Sequence, residues 1–540
     1  MKSVFSCFRR SRTRNTVILG ATAVFLAICA PSVMAAARGF YARLTILSTI
    51  VRLARDVYVD EVDTDRLMDG AIDGLLDRLD PHSDYLPPEE AARFGERIRG
   101  SFGGVGIYYT IIEGLPTVTS VIEGGPAEHA GLLSGDRILS VDGLTTVNWR
   151  EAEVQEHLKG PVGTRVRLEI RRNGRETPLP VEIVRGVIPL KSVPYAFMLD
   201  DSTGYIRIAN FAQTTGQEVE EALGRLNDAD MRYLVLDLRD NGGGELNAAV
   251  AVADFFLDAG SVIVSQRGRW EQANQTFFAT SGSRKVDTPV VVLINRGSAS
   301  ASEIVAGALQ DTDRGIIVGQ QSFGKGLVQR QFDLSQQAQG GGVLLLTVAR
   351  YYTPTGRLIQ REYGAGTAQY ILSGMTDSVR EDTSQGQRFV TPLGRVVYGK
   401  GGISPDYAIP RNEPDPVLAR LYSSALFFRF VNDAANTAVA APQRGEEFRA
   451  SRLVDDRLLS AFVDFCVRMD SSFTRSKLEA EENSVRPHLA AAIAEKMWGQ
   501  QARYRVLAPF DTELSAARAH LADARSLLNR SRSGRTHIGR

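Results

Sequence analysis

Three short segments hold residues whose types and spacing could perform acyl-transfer chemistry. Gly297-Ser298-Ala299-Ser300-Ala301-Ser302-Glu303 follows an apolar run and precedes a helical pattern, so it reads as a strand-to-helix junction. A hydroxyl there meets free backbone N–H groups and the positive end of the helix dipole, which stabilise a developing oxyanion. The same letters form a capping box, Ser300-x-x-Glu303, which by itself only starts a helix. Gly324-Lys325-Gly326-Leu327-Val328-Gln329 sets a lysine between glycines beside apolar residues. Desolvation would lower its pKa and supply a neutral amine as general base; the alternative is an exposed loop lysine. Gln329 lies four residues on, on the same side of a turn or strand, and can orient that amine. The spacing is not that of a P-loop. Asp237-Leu238-Arg239-Asp240-Asn241-Gly242-Gly243-Gly244 ends a strongly apolar strand in three glycines, whose N–H groups can face an anion. That makes it a second source of oxyanion donors, or simply a flexible turn.

A fourth segment, Gly103-Gly104-Val105-Gly106-Ile107, feeds an alternating strand. Its backbone amides can hold a terminal carboxylate while the strand edge pairs with a peptide tail; a plain β-turn is the other reading. Histidine is informative by scarcity. His82, His129 and His157 precede the region of Ser300 and none lies within 187–410. His82 reads as part of the Asp80–Ser83 turn, which leaves lysine as the base.

The elements that must position these residues follow from periodicity. Residues 40–80 read as helical, with Leu44, Ile46, Leu47, Ile50, Val51 and Leu53 at helical spacing, then a second helix from a Thr64 N-cap through Leu79. Residues 99–186 carry short alternating strands such as 117–122 and 165–170, with helices expected at 126–130 and 149–158. Residues 200–410 alternate apolar strands (234–238, 289–294, 315–319) with helices (216–226, 245–257, 300–310), which implies an α/β core with an added β segment at 338–352. Residues 411–528 are helical in pattern. The Ser/Arg/Gly-rich stretch 529–540 is expected to be a disordered basic tail.

The N-terminus has a secretory layout: five basic residues and no acid before the apolar run Val17–Ala30, then Val33-Met34-Ala35. Residues 1–35 are therefore expected to be a signal peptide, and the chain to be exported. If the signal is retained, it becomes a membrane anchor. Lys and Arg total 63 against 63 Asp and Glu, which argues against a nucleic-acid partner. Of three cysteines, two lie in the signal, so Cys466 has no partner for an intramolecular disulfide. No metal-ligand spacing is present, and no cofactor is expected.

Each motif alone is weak; their order and spacing together are specific. Over roughly residues 54–410 the chain resembles the carboxyl-terminal processing peptidases, also called tail-specific proteases. The resemblance rests on the four segments above, with Leu79-Asp80-Pro81-His82-Ser83-Asp84-Tyr85-Leu86, Phe323-Gly324-Lys325-Gly326, Tyr351-Tyr352-Thr353-Pro354-Thr355-Gly356-Arg357 and Gly402-Ile403-Ser404-Pro405-Asp406. It implies a serine endopeptidase of the Ser/Lys-dyad type, with Ser300 as nucleophile, Lys325 as base and Gln329 supporting the base. The family spacing selects Ser300 over Ser298 and Ser302. The implied oxyanion donors are the N–H groups of Ala301 and of Gly243, with Gly242 as the alternative, because the family's Asn-Pro-Gly-Gly is Asn241-Gly242-Gly243-Gly244 here. The implied architecture is an N-terminal helical region (38–98), a PDZ domain (99–186), an α/β peptidase core (187–410) and a helical C-terminal region (411–528). Gly103, Gly104, Val105, Gly106 and Ile107 would bind protein or peptide C-terminal tails. The basic position after the second PDZ helix is Lys159, where the family often has Arg. The resemblance places the enzyme in the periplasm, or on the membrane facing it, and is compatible with a homo-oligomer. The competing reading is a catalytically silent tail- or ligand-binding protein on the same scaffold.

Overall fold

The computed structural model describes residues 39–280, 286–336, 341–364, 366–375, 386–410, 415–432 and 453–538. The expected signal peptide lies outside the described residues. Two compact units result, divided after Asp80. The first contributes a helix over 39–57 and the helix Thr64–Leu76. Asp63 caps the latter in place of the expected Thr64: its carboxylate accepts from the Asp65 and Arg66 amides. Phe40, Leu44, Ile50 and Leu53 remain exposed. Among the described residues no helix is long and apolar enough to cross a membrane.

The helix Pro88–Arg99 lies in the second unit. Pro88 starts this helix and Gly100, at φ +74°, ends it in the left-handed conformation glycine tolerates. The β-rich domain follows as a five-strand path, Ile107–Ile112, Leu115–Val121, Arg137–Val141, Arg165–Arg171 and Leu179–Val184, with Ile107–Ile112 at its edge. Its helices are Pro126–His129 and Glu151–Leu158, and its core includes Val118, Ile138, Val154, Leu158, Val166 and Ile170. A ribbon of Ser101–Gly104 paired with Gly186–Pro189 carries the chain in and out of this domain.

The central sheet orders Tyr195–Met198, Thr203–Arg207, Tyr233–Asp237, Val290–Ile294, Gly315–Gly319 and Tyr407–Ala408; all are parallel neighbours except the first pair. Alternation along the strands fills both faces. Leu234, Leu236, Val292 and Ile317 pack under the helices Thr215–Asp228, Leu246–Asp254 and Ala301–Asp311. Val235, Val291, Leu293 and Val318 pack against Leu514, Ala517, Ala524 and Leu527 of the C-terminal helices. The C-terminal region thus forms the second cover of the sheet, and it builds its own bundle core around Phe427, Phe430, Phe462 and Val485.

The end of the chain corrects an expectation. The helix Leu521–Ile538 runs through most of the segment expected to be disordered. Leu527, Leu528 and Ser531 are buried and Arg532 pairs with Asp287 at 2.7 Å, so packing supplies what the local composition does not. A second, antiparallel sheet joins Leu327–Asp333, Val343–Tyr352, Val262–Arg267, Gln275–Phe278 and Asp84–Leu86.

Candidate active site

Ser300 sits one residue before the helix Ala301–Asp311, with φ +55° and ψ −111°. That conformation is costly for a non-glycine residue and needs surroundings that enforce it. The two neighbouring serines are unavailable. Ser298 and Ser302 are fully buried, and their hydroxyls donate to the carbonyls of Leu238 (2.7 Å) and Asn241 (2.8 Å). Ser300 is half-buried and lines a cavity of about 690 Å3.

The same cavity is lined by Lys325, Gln329, Ala301, Gly242 and Gly243. Lys325 lies in the turn leading into the strand Leu327–Asp333 and donates from Nζ to Gln329 Oε1 at 2.6 Å. The Gln329 amide in turn donates to the His82 carbonyl. His82 therefore serves through its backbone, while its ring meets the Tyr370 hydroxyl at 3.1 Å. Among the described residues no histidine lines the cavity.

Glu303, read from sequence as a cap, reaches further. Its Oε2 accepts from the amides of Ser300 (2.8 Å) and Lys325 (2.9 Å); its Oε1 accepts from the Gly324 amide (2.8 Å) and the Ser322 hydroxyl (2.5 Å). Burial pushes this carboxyl up to about 7, against the pull of its four donors. Tyr351 works from the carbonyl side: its single O–H is shared between Lys325 O (2.5 Å), the nearer acceptor, and Ser300 O (3.1 Å).

The glycine loop approaches the serine closely. A Cβ on Gly243 would fall 2.8 Å from Ser300 Cβ and 3.0 Å from the Ala301 nitrogen. Yet the Gly243 amide donates to Asn241 Oδ1 at 2.9 Å, so that donor is occupied in this conformation. Asn241 is fully buried and also anchors the serine turn, accepting on its carbonyl from Ala299 N (3.0 Å). Beneath the loop, Asp237 is fully buried and binds Arg239 at 2.6 Å and Arg207 at 3.2 Å. Arg239 continues to Asp511 and Glu513 of the C-terminal region, each at 2.7 Å.

A second cavity, of about 560 Å3, lies along the edge strand Ile107–Ile112. Val105, Gly106 and Ile107 line it with Leu158 and Gln155 of the helix Glu151–Leu158. Gly103 and Gly104 do not line it: they fall in the ribbon strand Ser101–Gly104, opposite Val187 and Gly186, so they form no free loop. Gly103 is needed there for close packing, since a Cβ would meet Gly160 O at 2.2 Å. Lys159 pairs with Glu96 at 2.6 Å and lies over the Phe102 ring. The helix Pro88–Arg99 walls both cavities: Glu90, Arg93 and Glu96 face the edge-strand groove, Phe94 and Ile98 the serine cavity, and Arg97 lines both.

Sequence reading held this helix only within a broad helical region, 38–98, without its bounds or its place beside the cavities, and it missed the reach of Glu303 and the role of Asn241. A signal for Glu303 was present: it is the one charged residue in the first ten positions of the helix, Ala301 to Gln310.

A hydroxyl, a lysine and backbone donors facing one cavity, on an α/β core that follows a β-rich domain, suit a serine-type peptidase. A model of peptidase family S41 matches residues 202–369, which include Ser300 and Lys325, and a PDZ-domain model matches residues 117–172. The chain is 41% identical over 324 residues to the carboxy-terminal-processing protease of Bartonella bacilliformis, covering 59% of this chain and 73% of that one. It is 35% identical over 306 residues to the carboxy-terminal processing protease CtpA of Bacillus subtilis, covering 56% and 64%. Among solved structures it is similar to a photosystem II D1 C-terminal processing protease, with 29% identity, 71% and 90% coverage and a TM-score of 0.34. The chain belongs to peptidase family S41, among the carboxy-terminal processing proteases. Its C-terminal helices lie outside both matched segments.

Proposed function

We propose that this protein is an endopeptidase that cleaves exported proteins near their C-terminal tails through a Ser300/Lys325 dyad. Neutral Lys325 Nζ takes the Ser300 proton as Oγ attacks the scissile carbonyl carbon. The tetrahedral oxyanion is held by the Ala301 N–H and by a glycine-loop N–H, from Gly242 or, after exchange of its bond to Asn241, from Gly243. Lys325 returns the proton to the leaving amine, and an acyl-enzyme ester remains. Water, deprotonated by Lys325, then hydrolyses that ester and restores Ser300. Gln329 orients the base through its contact with Nζ. The observation that carries this reading is the convergence of Ser300, Lys325, Gln329 and the glycine loop on one cavity.

The tail is held in the groove beside the open edge of Ile107–Ile112, by β-strand addition, with Val105, Gly106 and Ile107 at its terminal carboxylate. The secretory layout of residues 1–35 supports action in the periplasm or at its membrane.

The test compares a peptide bearing an apolar free C-terminus with its C-terminal amide. Wild type should cleave the acid form with the higher kcat/KM. Ser300→Ala and Lys325→Arg should cleave neither, because an arginine cannot shed its proton. Turnover by Lys325→Arg close to wild type would remove lysine as the base. Equal kcat/KM for acid and amide would remove the carboxylate from recognition.

A further inference from the structure

Ser300 adopts φ +55°, ψ −111°, a strained conformation costing about 1–3 kcal/mol that persists only where neighbours enforce it. Two buried side chains do so. Glu303 takes the Ser300 amide, and Tyr351, 1% exposed, directs its one O–H proton between two carbonyls, with Ser300 O the longer arm at 3.1 Å. The same hydroxyl reaches the Lys325 carbonyl at 2.5 Å. Ring placement is fixed as well, since the Tyr351 amide donates to Gly326 O at 3.0 Å.

The consequence lies in peptide planarity. The Ser300 carbonyl and the Ala301 N–H belong to one planar trans unit, so they point in opposite directions. A donor that fixes the carbonyl therefore aims the N–H. We infer that Tyr351 is a positioning residue for this peptidase: by bridging the Ser300 and Lys325 carbonyls, its hydroxyl sets the nucleophile against the base and orients the Ala301 N–H towards the oxyanion. The inference rests on the Ser300/Lys325 reading above. Tyr351 itself does no proton transfer. Its hydroxyl is committed to two carbonyls, and burial holds the phenol well above its ordinary pKa.

Tyr351→Phe removes the hydroxyl and keeps the ring. Turnover on a fluorogenic peptide is measured with active sites titrated, and the Ki of a peptide boronate, which mimics the tetrahedral state, is measured alongside. The expected result is a fall in kcat of about 10- to 100-fold at unchanged KM, with the boronate Ki raised by a similar factor. Tyr352→Phe is the control: the Tyr352 ring carries Arg267 on its face, 5.0 Å away, so this variant should match wild type. A Tyr351→Phe enzyme with wild-type kcat per active site would overturn the inference. So would a loss of kcat per active site that leaves the boronate Ki unmoved, since a displaced Ala301 N–H must weaken the mimic of the tetrahedral state as well. Ser300→Ala separates the two levels. If it is inactive while Tyr351→Phe is normal, only this inference fails; if it stays active, the dyad reading fails with it.

Discussion

Gly243 offers the sharpest test of how the oxyanion loop and the serine are fitted together. Its φ is +101°, and an alanine Cβ would stand 2.8 Å from Ala299 O, 2.8 Å from Ser300 Cβ and 3.0 Å from the Ala301 nitrogen. Carbon contacts become comfortable near ~3.5 Å, so the overlap with Ser300 Cβ is roughly 0.7 Å. Backbone strain at positive φ adds about 1–3 kcal/mol, and overpacking a filled site about as much again. Two of the three clashing groups are backbone atoms beside Ser300, so part of that overlap is relieved by moving the nucleophile. A misplacement approaching 1 Å costs about 100-fold in rate. Gly243→Ala should therefore lose about 2–6 kcal/mol of stability in urea melts and about 100-fold in kcat. Gly242 is the internal control, because a Cβ there would meet nothing within 4 Å and its φ is not positive. Gly242→Ala retains its N–H and should stay within about 0.5 kcal/mol of wild type, with kcat changed by no more than about threefold. The reasoning collapses if Gly243→Ala keeps wild-type kcat, or if the two variants are equally damaged.

Two further outcomes follow from the ion networks. Burial raises the Glu303 carboxyl from 4.5 to about 7, so folding favours its protonated form. That contribution is fully present below about pH 4.5 and is lost as pH rises through about 7, by an amount on the order of 3 kcal/mol. Glu303→Gln cannot titrate, so wild-type stability should fall relative to this variant between pH 5 and 8 in urea midpoints; a constant difference would refute the assignment. Arg239→Met strips the main cation from fully buried Asp237 and should cost about 3–5 kcal/mol, whereas Asp511→Asn, at the more exposed end of the network, should cost about 1 kcal/mol or less. Comparable losses in thermal melts would show that the C-terminal helices, not Asp237, dominate the network.

The chemistry of this protein was legible in its sequence wherever it depended on neighbours along the chain. The strands at 234–238, 289–294 and 315–319 were legible because apolar β-rich runs leave few other options, and Gln329 could be paired with Lys325 because four residues is a local distance. The glycine loop was recognisable by composition alone. What tertiary structure decided is which donor meets which acceptor. Nothing near Asn241 says that its side-chain amide reaches the Ile208 carbonyl 33 residues away, and nothing in Gly103-Gly104 says that they pair with Val187 and Gly186 in a ribbon. The reach of Glu303 to Lys325 spans 22 residues and the bridge from Tyr351 to Ser300 spans 51. The helix Pro88–Arg99 became a wall of both cavities, and the final helix was ordered by burial of Leu527 and Leu528. Periodicity and turn chemistry are properties of a few adjacent residues, so a sequence carries them openly. A buried hydrogen bond between distant segments exists only once packing has excluded water and brought the partners within reach.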